Sequence, residues 1–311
     1  MAVKTEAVRM AFTGALLEEA MKNSRIFALT TDSSGSVTLG DFARQLPGQF
    51  VECGIAEQDA IGISAGMANA GLRPFVCGPA CFYSLRSAEQ IKVDVAYSHM
   101  NVKVIGVSGG VSYGALGTSH HATQDIALMR AIPSIEVFLP SDGAQMRAMM
   151  RYLAASNEPA YVRMGRAAVP AVYDEDAPFL PGKANRLRLG QDAALIACGE
   201  MVFHALQAAE LLAQKGLSVS VYDMHTIKPL DEGAVLEAAR TGLVATVEEH
   251  NIHGGLGSAV AEVLACRKPT LMRILGLPDE PLYNGASPDV LRHYGLTGEG
   301  IASTVLEAVK R

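Results

Sequence analysis

The sequence predicts an α/β protein of two domains, each a mostly parallel sheet flanked by helices. Short runs rich in Val, Ile and Ala alternate with longer segments of helical period, as expected of strands covered on both faces and joined by crossover helices. The alternation breaks once, in RAAVPAVYDEDAPFLPGKANRLRLGQ between Arg166 and Gln191, where three prolines and several acidic residues interrupt the periodicity. The 311 residues, 49% of them apolar, suffice for two cores.

The opening MAVKTEAVRMAFTGALLEEAMKN alternates charged and apolar residues at helical spacing and reads as a first helix. It lacks the basic start, apolar middle and small-residue cleavage site of an export signal. Strands are expected over 26–30, 50–53, 74–78, 102–107, 135–138 and 160–162, with helices between most of them. These elements define a first domain over 1–170. A linker over 171–190 leads to a second domain over 191–311, where DAALIACGEMVFHALQAAELLAQKGLSVSVYDMHTIKPLD resumes the alternation in a smaller open sheet of parallel character. No internal repeat suggests a solenoid.

Composition excludes several classes of partner. The net charge of -6 comes from 26 basic and 32 acidic side chains, without the basic excess that a nucleic-acid binder needs. No apolar stretch approaches the ~20 residues that span a bilayer, so no membrane association is expected. Five cysteines, an odd number in mostly apolar surroundings, argue against a disulfide framework and for a reducing, cytoplasmic setting. Cys77 and Cys81 have the spacing of metal ligands, but with no second pair and no nearby His they read as buried structural thiols.

Three stretches could carry chemistry. In VECGIAEQDAIGISAGMANAG a strand ends near Gly54 and a helix of small residues begins near Ala56, with Glu57 at the junction. A carboxylate in a helix's first turn is favoured by the helix dipole, so Glu57 alone marks a helix start as well as it marks a reaction. In GPACFYSLRSAEQIKVDVAYSHM the adjacent Phe82 and Tyr83 precede a long helix and can equally be core aromatics. In GVSGGVSYGALGTSHHATQDIALMRAIP a glycine-rich loop leads to His120 and His121 and then to a helix. Such a loop at the C-terminal end of a strand is where open α/β sheets gather their active sites, although the two His can also be helix-entry residues. No Walker loop, no dinucleotide-binding GxGxxG and no GxSxG elbow is present.

The order GIAEQDA, ACFYSLRSAEQ, SYGALGTSHHATQDIALMRAIPSIEVFLPSDG resembles the pyrimidine-binding domain of transketolases, most nearly that of split transketolases. GQDAALIACG, VYDMHTIKPLD and VEEHNIHGGLGSAV resemble the C-terminal domain shared by transketolase, deoxyxylulose-phosphate synthase and the beta subunits of 2-oxoacid dehydrogenases. Nearly the whole chain is covered. The resemblance implies a thiamine-diphosphate enzyme that moves a two-carbon ketol unit from a ketose (phosphate) to an aldose (phosphate).

By that resemblance Glu57 hydrogen-bonds the aminopyrimidine nitrogen of the cofactor and promotes the imino tautomer that activates the thiazolium. The role asks for a carboxyl that is protonated or shares its proton, which burial favours. Phe82, or Tyr83 if the register shifts by one, packs on the pyrimidine. His120 faces the substrate and shuttles a proton, a task suited to a group titrating near neutrality. His121 neighbours it. Arg166 in AYVRMGR falls where the family holds a substrate phosphate, although it can also be an exposed linker residue. Asp32 and Ser36 in LTTDSSGS align with a loop at the cofactor and substrate channel, or form a simple turn.

Two departures from full-length transketolases bear on the substrate. Ser108-Gly109 replaces a His-Asp pair, and Leu116 replaces an acidic residue before the catalytic His, so a sugar other than the usual pentose phosphates is expected. The chain also lacks a Gly-Asp-Gly segment followed ~30 residues later by Asn, the family's motif for the metal and diphosphate. The resemblance therefore implies no metal ligands here and an N-terminal partner subunit that holds the diphosphate and Mg²⁺, two copies of each, with this chain also pairing with itself. The alternatives are the beta chain of a 2-oxoacid dehydrogenase, which TSHHATQD disfavours, a truncated deoxyxylulose-phosphate synthase, which Gly109 disfavours, and a non-catalytic assembly subunit of the same fold.

Overall fold

The computed structural model describes residues 4–174 and 177–310. From the first part of the chain come β1 (Thr5–Ala7), β2 (Ile26–Thr30), β3 (Phe50–Glu52), β4 (Arg73–Pro79), β5 (Lys103–Val107), β6 (Glu136–Phe138), β7 (Ala160–Met164) and β8 (Ala168–Pro170). The rest supplies β9 (Asn185–Arg188), β10 (Ala193–Ala197), β11 (Val219–Asp223), β12 (Thr226–Lys228), β13 (Leu243–Asn251) and β14 (Leu271–Leu277). Seven strands form one sheet in the order β12-β6-β7-β5-β4-β2-β3, parallel throughout except for β12. Five form a second in the order β14-β13-β10-β11-β9, parallel except for β9, while β1 and β8 make an antiparallel ribbon.

The central strands are apolar because both faces are covered. Every residue of β5, β7, β10 and β11 is buried, as parallel strands between helical layers require. One face of the first sheet packs Phe75, Phe138 and Ile105 against Phe12, Leu16, Met146 and Met150 of the helices Val8–Lys22 and Gly143–Ala155. The other face joins Tyr83, Val95 and Tyr161 to Ile196, Tyr222 and Val260 of the second sheet and its helices, so the two domains share a core.

Both domain sheets are therefore mostly parallel, as predicted, but two details differ from the expected division of the chain. The segment 171–190 is not all connector, since β9 pairs with β11 as an edge of the second sheet. Of that segment, Glu175 and Asp176 lie outside the described residues. Beyond the expected boundary, β12 returns to the first sheet and lies antiparallel on β6. A three-residue strand such as TIK carries no periodicity to read, which is why nothing in the sequence marks it.

The connector is tied to both domains through two buried aspartates. Val172 and Tyr173 donate their backbone N–H groups to Oδ2 of Asp142, each at 2.8 Å. The Tyr173 hydroxyl and Gln145 Nε2 both donate to Oδ2 of Asp223 at 2.6 Å. Burial raises the Asp223 carboxyl from its ordinary 3.8 to about 7, with those two donors pulling the other way. Between about pH 4 and pH 7 the folded state therefore holds a proton that the unfolded chain has released, and stability falls as pH rises through that window. Asp223→Asn cannot titrate. Its melting temperature relative to wild type should rise steadily from about pH 4 to about pH 7 and level off above, and a pH-independent difference in scanning calorimetry would refute the assignment.

All five cysteines are free, and burial pushes the Cys77 thiol well up and that of Cys81 to about 12, as inert packing groups behave. Among the described residues no helix is long and apolar enough to cross a membrane.

Candidate active site

The C-terminal ends of the parallel strands deliver the reactive side chains to one edge of the first sheet. After β3, Gly54 turns the chain at φ +68° and Glu57 opens the helix Glu57–Asn69. The helix Ala80–Arg86 follows β4 and brings Phe82 and Arg86. The glycine-rich loop after β5 brings Tyr113 and His120, and Arg166 follows β7. From the N-terminal helix Val8–Lys22, Arg9 reaches the same edge.

From Glu57 to Arg166 these residues touch in an unbroken row. Glu57 is 5% exposed, and its Oε1 accepts a hydrogen bond from Arg86 Nη1 at 3.0 Å. The guanidinium of Arg86 lies over the Phe82 ring, 4.0 Å from its centroid. Phe82 meets His120 edge to face at 5.3 Å, and His120 meets Tyr113 in the same way at 5.2 Å. Arg166 lies over Tyr113 at 5.1 Å. Next to Arg166 is Arg9, whose Nη1 donates to the carbonyl of Ser36 at 2.5 Å and whose Nε is buried without a partner. Burial first, then the charge of Arg166, hold the Arg9 guanidinium below its ordinary value.

Not every sequence-predicted residue joins the row. Phe82 faces the Glu57–Arg86 pair, whereas Tyr83 is fully buried, donates to Thr31 Oγ1 at 3.2 Å and packs so tightly on Gly78 that a Cβ there would lie 2.4 Å from its ring. Tyr83 is thus a core aromatic, and Phe82 is the aromatic in contact with Arg86 and His120. His120 is half-buried with Nδ1 on Ser119 Oγ at 2.9 Å. His121 is buried and ties Nε2 to the Gly114 carbonyl at 2.9 Å, inside the loop. Ser36 enters through its carbonyl on Arg9. Asp32 is exposed at φ +52°, with its N–H on Glu52 Oε1 at 2.7 Å. Glu57 is buried, as its expected role asks, and in addition forms an ion pair with the half-exposed Arg86 that nothing in the sequence announces.

The second domain holds the His120 loop in place. Glu249 Oε1 accepts from the Val111 N–H at 2.7 Å, and Ser287 Oγ donates to the Val111 carbonyl at 2.7 Å. The Gly285 carbonyl presses on Gly114, and the Asn284 side chain presses on Gly117. Beneath the loop runs Arg163, 5% exposed, with Nη2 on the Glu249 carbonyl at 2.7 Å and Nε 3.4 Å from Asp125. A Cβ at Gly109 would lie 2.0 Å from Arg163 Nε. That contact gives a physical reason for Gly109, since the guanidinium fills the space a side chain would take.

Sequence reasoning passes over Arg9, Arg86, Tyr113 and Arg163. Arg86 and Tyr113 lie inside the quoted motifs, and a cationic side chain one helical turn from Phe82 is the available signal for Arg86. Arg9 has none, since an Arg on an amphipathic first helix reads as surface. Among the described residues no group of three or more His, Cys, Asp or Glu side chains is placed to hold a metal ion.

Comparison with known proteins gives a consistent picture. Residues 4–171 match the family model of the transketolase pyrimidine-binding domain, and residues 182–301 match that of the transketolase C-terminal domain. The chain is 55% identical over 307 residues to an apulose-4-phosphate transketolase subunit of Phocaeicola vulgatus, covering 98% of each. It is 37% identical over 305 residues to a 6-deoxy-6-sulfo-D-fructose transketolase subunit of Clostridium sp., covering 98% of this chain and 95% of that one. A solved split-gene transketolase, described as an inactive beta4 tetramer, superposes with a TM-score of 0.90 at 38% identity, covering 98% of each chain.

Proposed function

Because the chain belongs to the transketolase family, we propose that it is the pyrimidine-side subunit of a split transketolase, moving a two-carbon ketol unit from a ketose bearing a terminal oxyanion to an aldose. The observation that carries this reading is the row from Glu57 to Arg166, with Arg9 near enough to feel the charge of Arg166, which brings an acid, an aromatic face, an imidazole and two cations to one edge of the sheet.

Thiamine diphosphate, on which the family depends, supplies the electron sink that lets a carbon–carbon bond next to a carbonyl break. The space between Glu57 and Phe82 suits its pyrimidine, since a flat nitrogen-bearing group, the Arg86 guanidinium, already bonds that carboxylate and lies over that ring. Glu57 holds and exchanges a proton at the ring nitrogen, protected from water by its burial. Phe82 gives the ring a face. His120 exchanges a proton with the substrate oxygen, while Tyr113 and Phe82 fix the imidazole between them. Arg9 and Arg166, with Ser36 beside them, hold the terminal oxyanion, whose charge relieves the repulsion between the two guanidiniums. Asp32 borders the same channel and His121 keeps the loop closed.

Mg²⁺ and the diphosphate fall to the N-terminal partner subunit, in an assembly of two plus two. The description of the 38% identical beta4 tetramer as inactive supports that dependence. A division into domains over 1–170 and 191–311, with β9 joined to the second, and a reducing, cytoplasmic setting in keeping with the free thiols, belong to the same reading. The names of the two relatives carry a phosphate and a sulfo group, which agrees with a cationic pair at the sugar's far end and makes apulose 4-phosphate the first donor to try.

The test is a coupled ketol-transfer assay with thiamine diphosphate, Mg²⁺ and apulose 4-phosphate, for this chain alone, the partner alone and the two together. Activity confined to the pair is expected. Turnover by the chain alone would overturn the two-subunit reading, and a silent pair across phosphorylated and sulfonated ketoses would redirect attention to oxo acids.

A further inference from the structure

We propose that Arg86 is a built-in stand-in for the aminopyrimidine, which covers Glu57 and Phe82 in the unpaired chain and has to swing out before the ring can enter. The inference rests on the function proposed above. Its basis is that one side chain occupies both places the ring requires, with an N–H donated to Glu57 Oε1 at 3.0 Å, where the ring nitrogen would meet the same carboxyl, and its guanidinium carbon over Phe82, 4.0 Å from the ring centroid. A guanidinium and an aminopyrimidine share a shape, a planar array of nitrogens around sp² carbon, and differ in that the guanidinium donates to the carboxylate while the ring nitrogen takes the carboxyl's proton. One aromatic face accommodates one such group, so the two occupants exclude each other.

Arg86 is suited to leave. It is the last residue of the helix Ala80–Arg86, and its side chain is 49% exposed, whereas that of Glu57 is 6% exposed. The carboxylate is thus fixed and sheltered while its partner reaches water by rotating about its own stem. A half-exposed guanidinium regains its full hydration when it swings out, and the ring that replaces it meets the same carboxyl, so a ring anchored by its diphosphate can displace the cover. In a chain that holds only half of the cofactor site, such a cover compensates a buried carboxylate and keeps an aromatic face from water until the partner docks.

The probe is thiamine itself, which carries the pyrimidine but no diphosphate and so does not call on the partner. Equilibrium dialysis with the isolated chain should show Arg86→Met, which keeps the stem but not the cation, binding thiamine ~10-fold more tightly than wild type. Raising the salt concentration should tighten wild-type binding, by loosening the Glu57–Arg86 pair, and leave Arg86→Met unchanged. The double variant Arg86→Met/Glu57→Gln should lose the gain. Equal or weaker binding by Arg86→Met, with its melting temperature intact, would overturn the inference while leaving the function untouched if the assembled pair still binds thiamine diphosphate and turns over. Failure of both the pair and the isolated variants to bind would overturn the function and the inference together.

Discussion

Glu57→Gln, assembled with the partner subunit, should lose roughly 10²–10⁴-fold in turnover. Glutamine keeps the length and planarity of the side chain but cannot hold or release a proton, so the loss reports proton exchange at the pyrimidine and not a collapsed pocket. The native neighbourhood makes the distinction clean. Glu57 sits at the first turn of its helix with one ionic partner, and that partner is half in water. Gln removes the buried charge together with the pair and leaves the Arg86 side chain half in water, so the melting temperature should move little while activity nearly vanishes. Stopped-flow measurement of donor cleavage alongside calorimetry checks both. An active Glu57→Gln pair would remove Glu57 from the chemistry, and a large drop in melting temperature would assign it a structural role instead.

Arg166→Leu and Arg9→Leu should each lower kcat/KM for a phosphorylated ketose by ~10- to 150-fold, the equivalent of losing one charge-assisted hydrogen bond of ~1.5–3 kcal/mol. An unphosphorylated donor should be affected far less. The same substitutions should act in the opposite direction on the free protein. Arg9 lies partly buried near Arg166, its Nε has no partner and its guanidinium is held down by burial first and then by that neighbour's charge, so removing Arg166 relieves a repulsion. Arg166→Leu should therefore leave thermal stability unchanged or higher while weakening phosphate recognition. Inorganic phosphate, tested as a competitive inhibitor, should bind wild type and lose most of its affinity for either variant. Equal losses for phosphorylated and unphosphorylated donors would show that the two arginines do not form an oxyanion site.

Most of the first sheet was legible because its central strands β5 and β7 are wholly buried and its strands stand between helices of clear period. Strand β2 falls on the expected 26–30 without adjustment, and β7 only runs two residues longer than expected. What escaped were elements whose cause is distant in sequence. Strand β12 is a strand because the edge of β6 is open to it, and β9 because β11 offers its edge. At the site, Glu57, Phe82 and His120 were picked out through the resemblance of their motifs, since each residue alone also reads as a helix start, a core aromatic or a helix entry. Arg9 and Arg163 did not, because an arginine's meaning depends on what it faces, and each faces groups more than 20 residues away. The choice between Phe82 and Tyr83 was likewise a matter of orientation. The tight fit of Tyr83 against Gly78 turns it inward and leaves Phe82 at the cleft.

The placement of β12 also bears on how the protein is made. Strand β6 is complete at residue 138, but its outer neighbour begins at Thr226. During synthesis, at some 5–20 residues per second, the nascent first sheet therefore carries an unpaired edge for several seconds after its own last strand has left the ribosome. An open edge of this kind invites pairing with another chain. The protein should accordingly need both domains to reach a safe state, and fragments ending in the 171–190 segment should aggregate where the full chain does not.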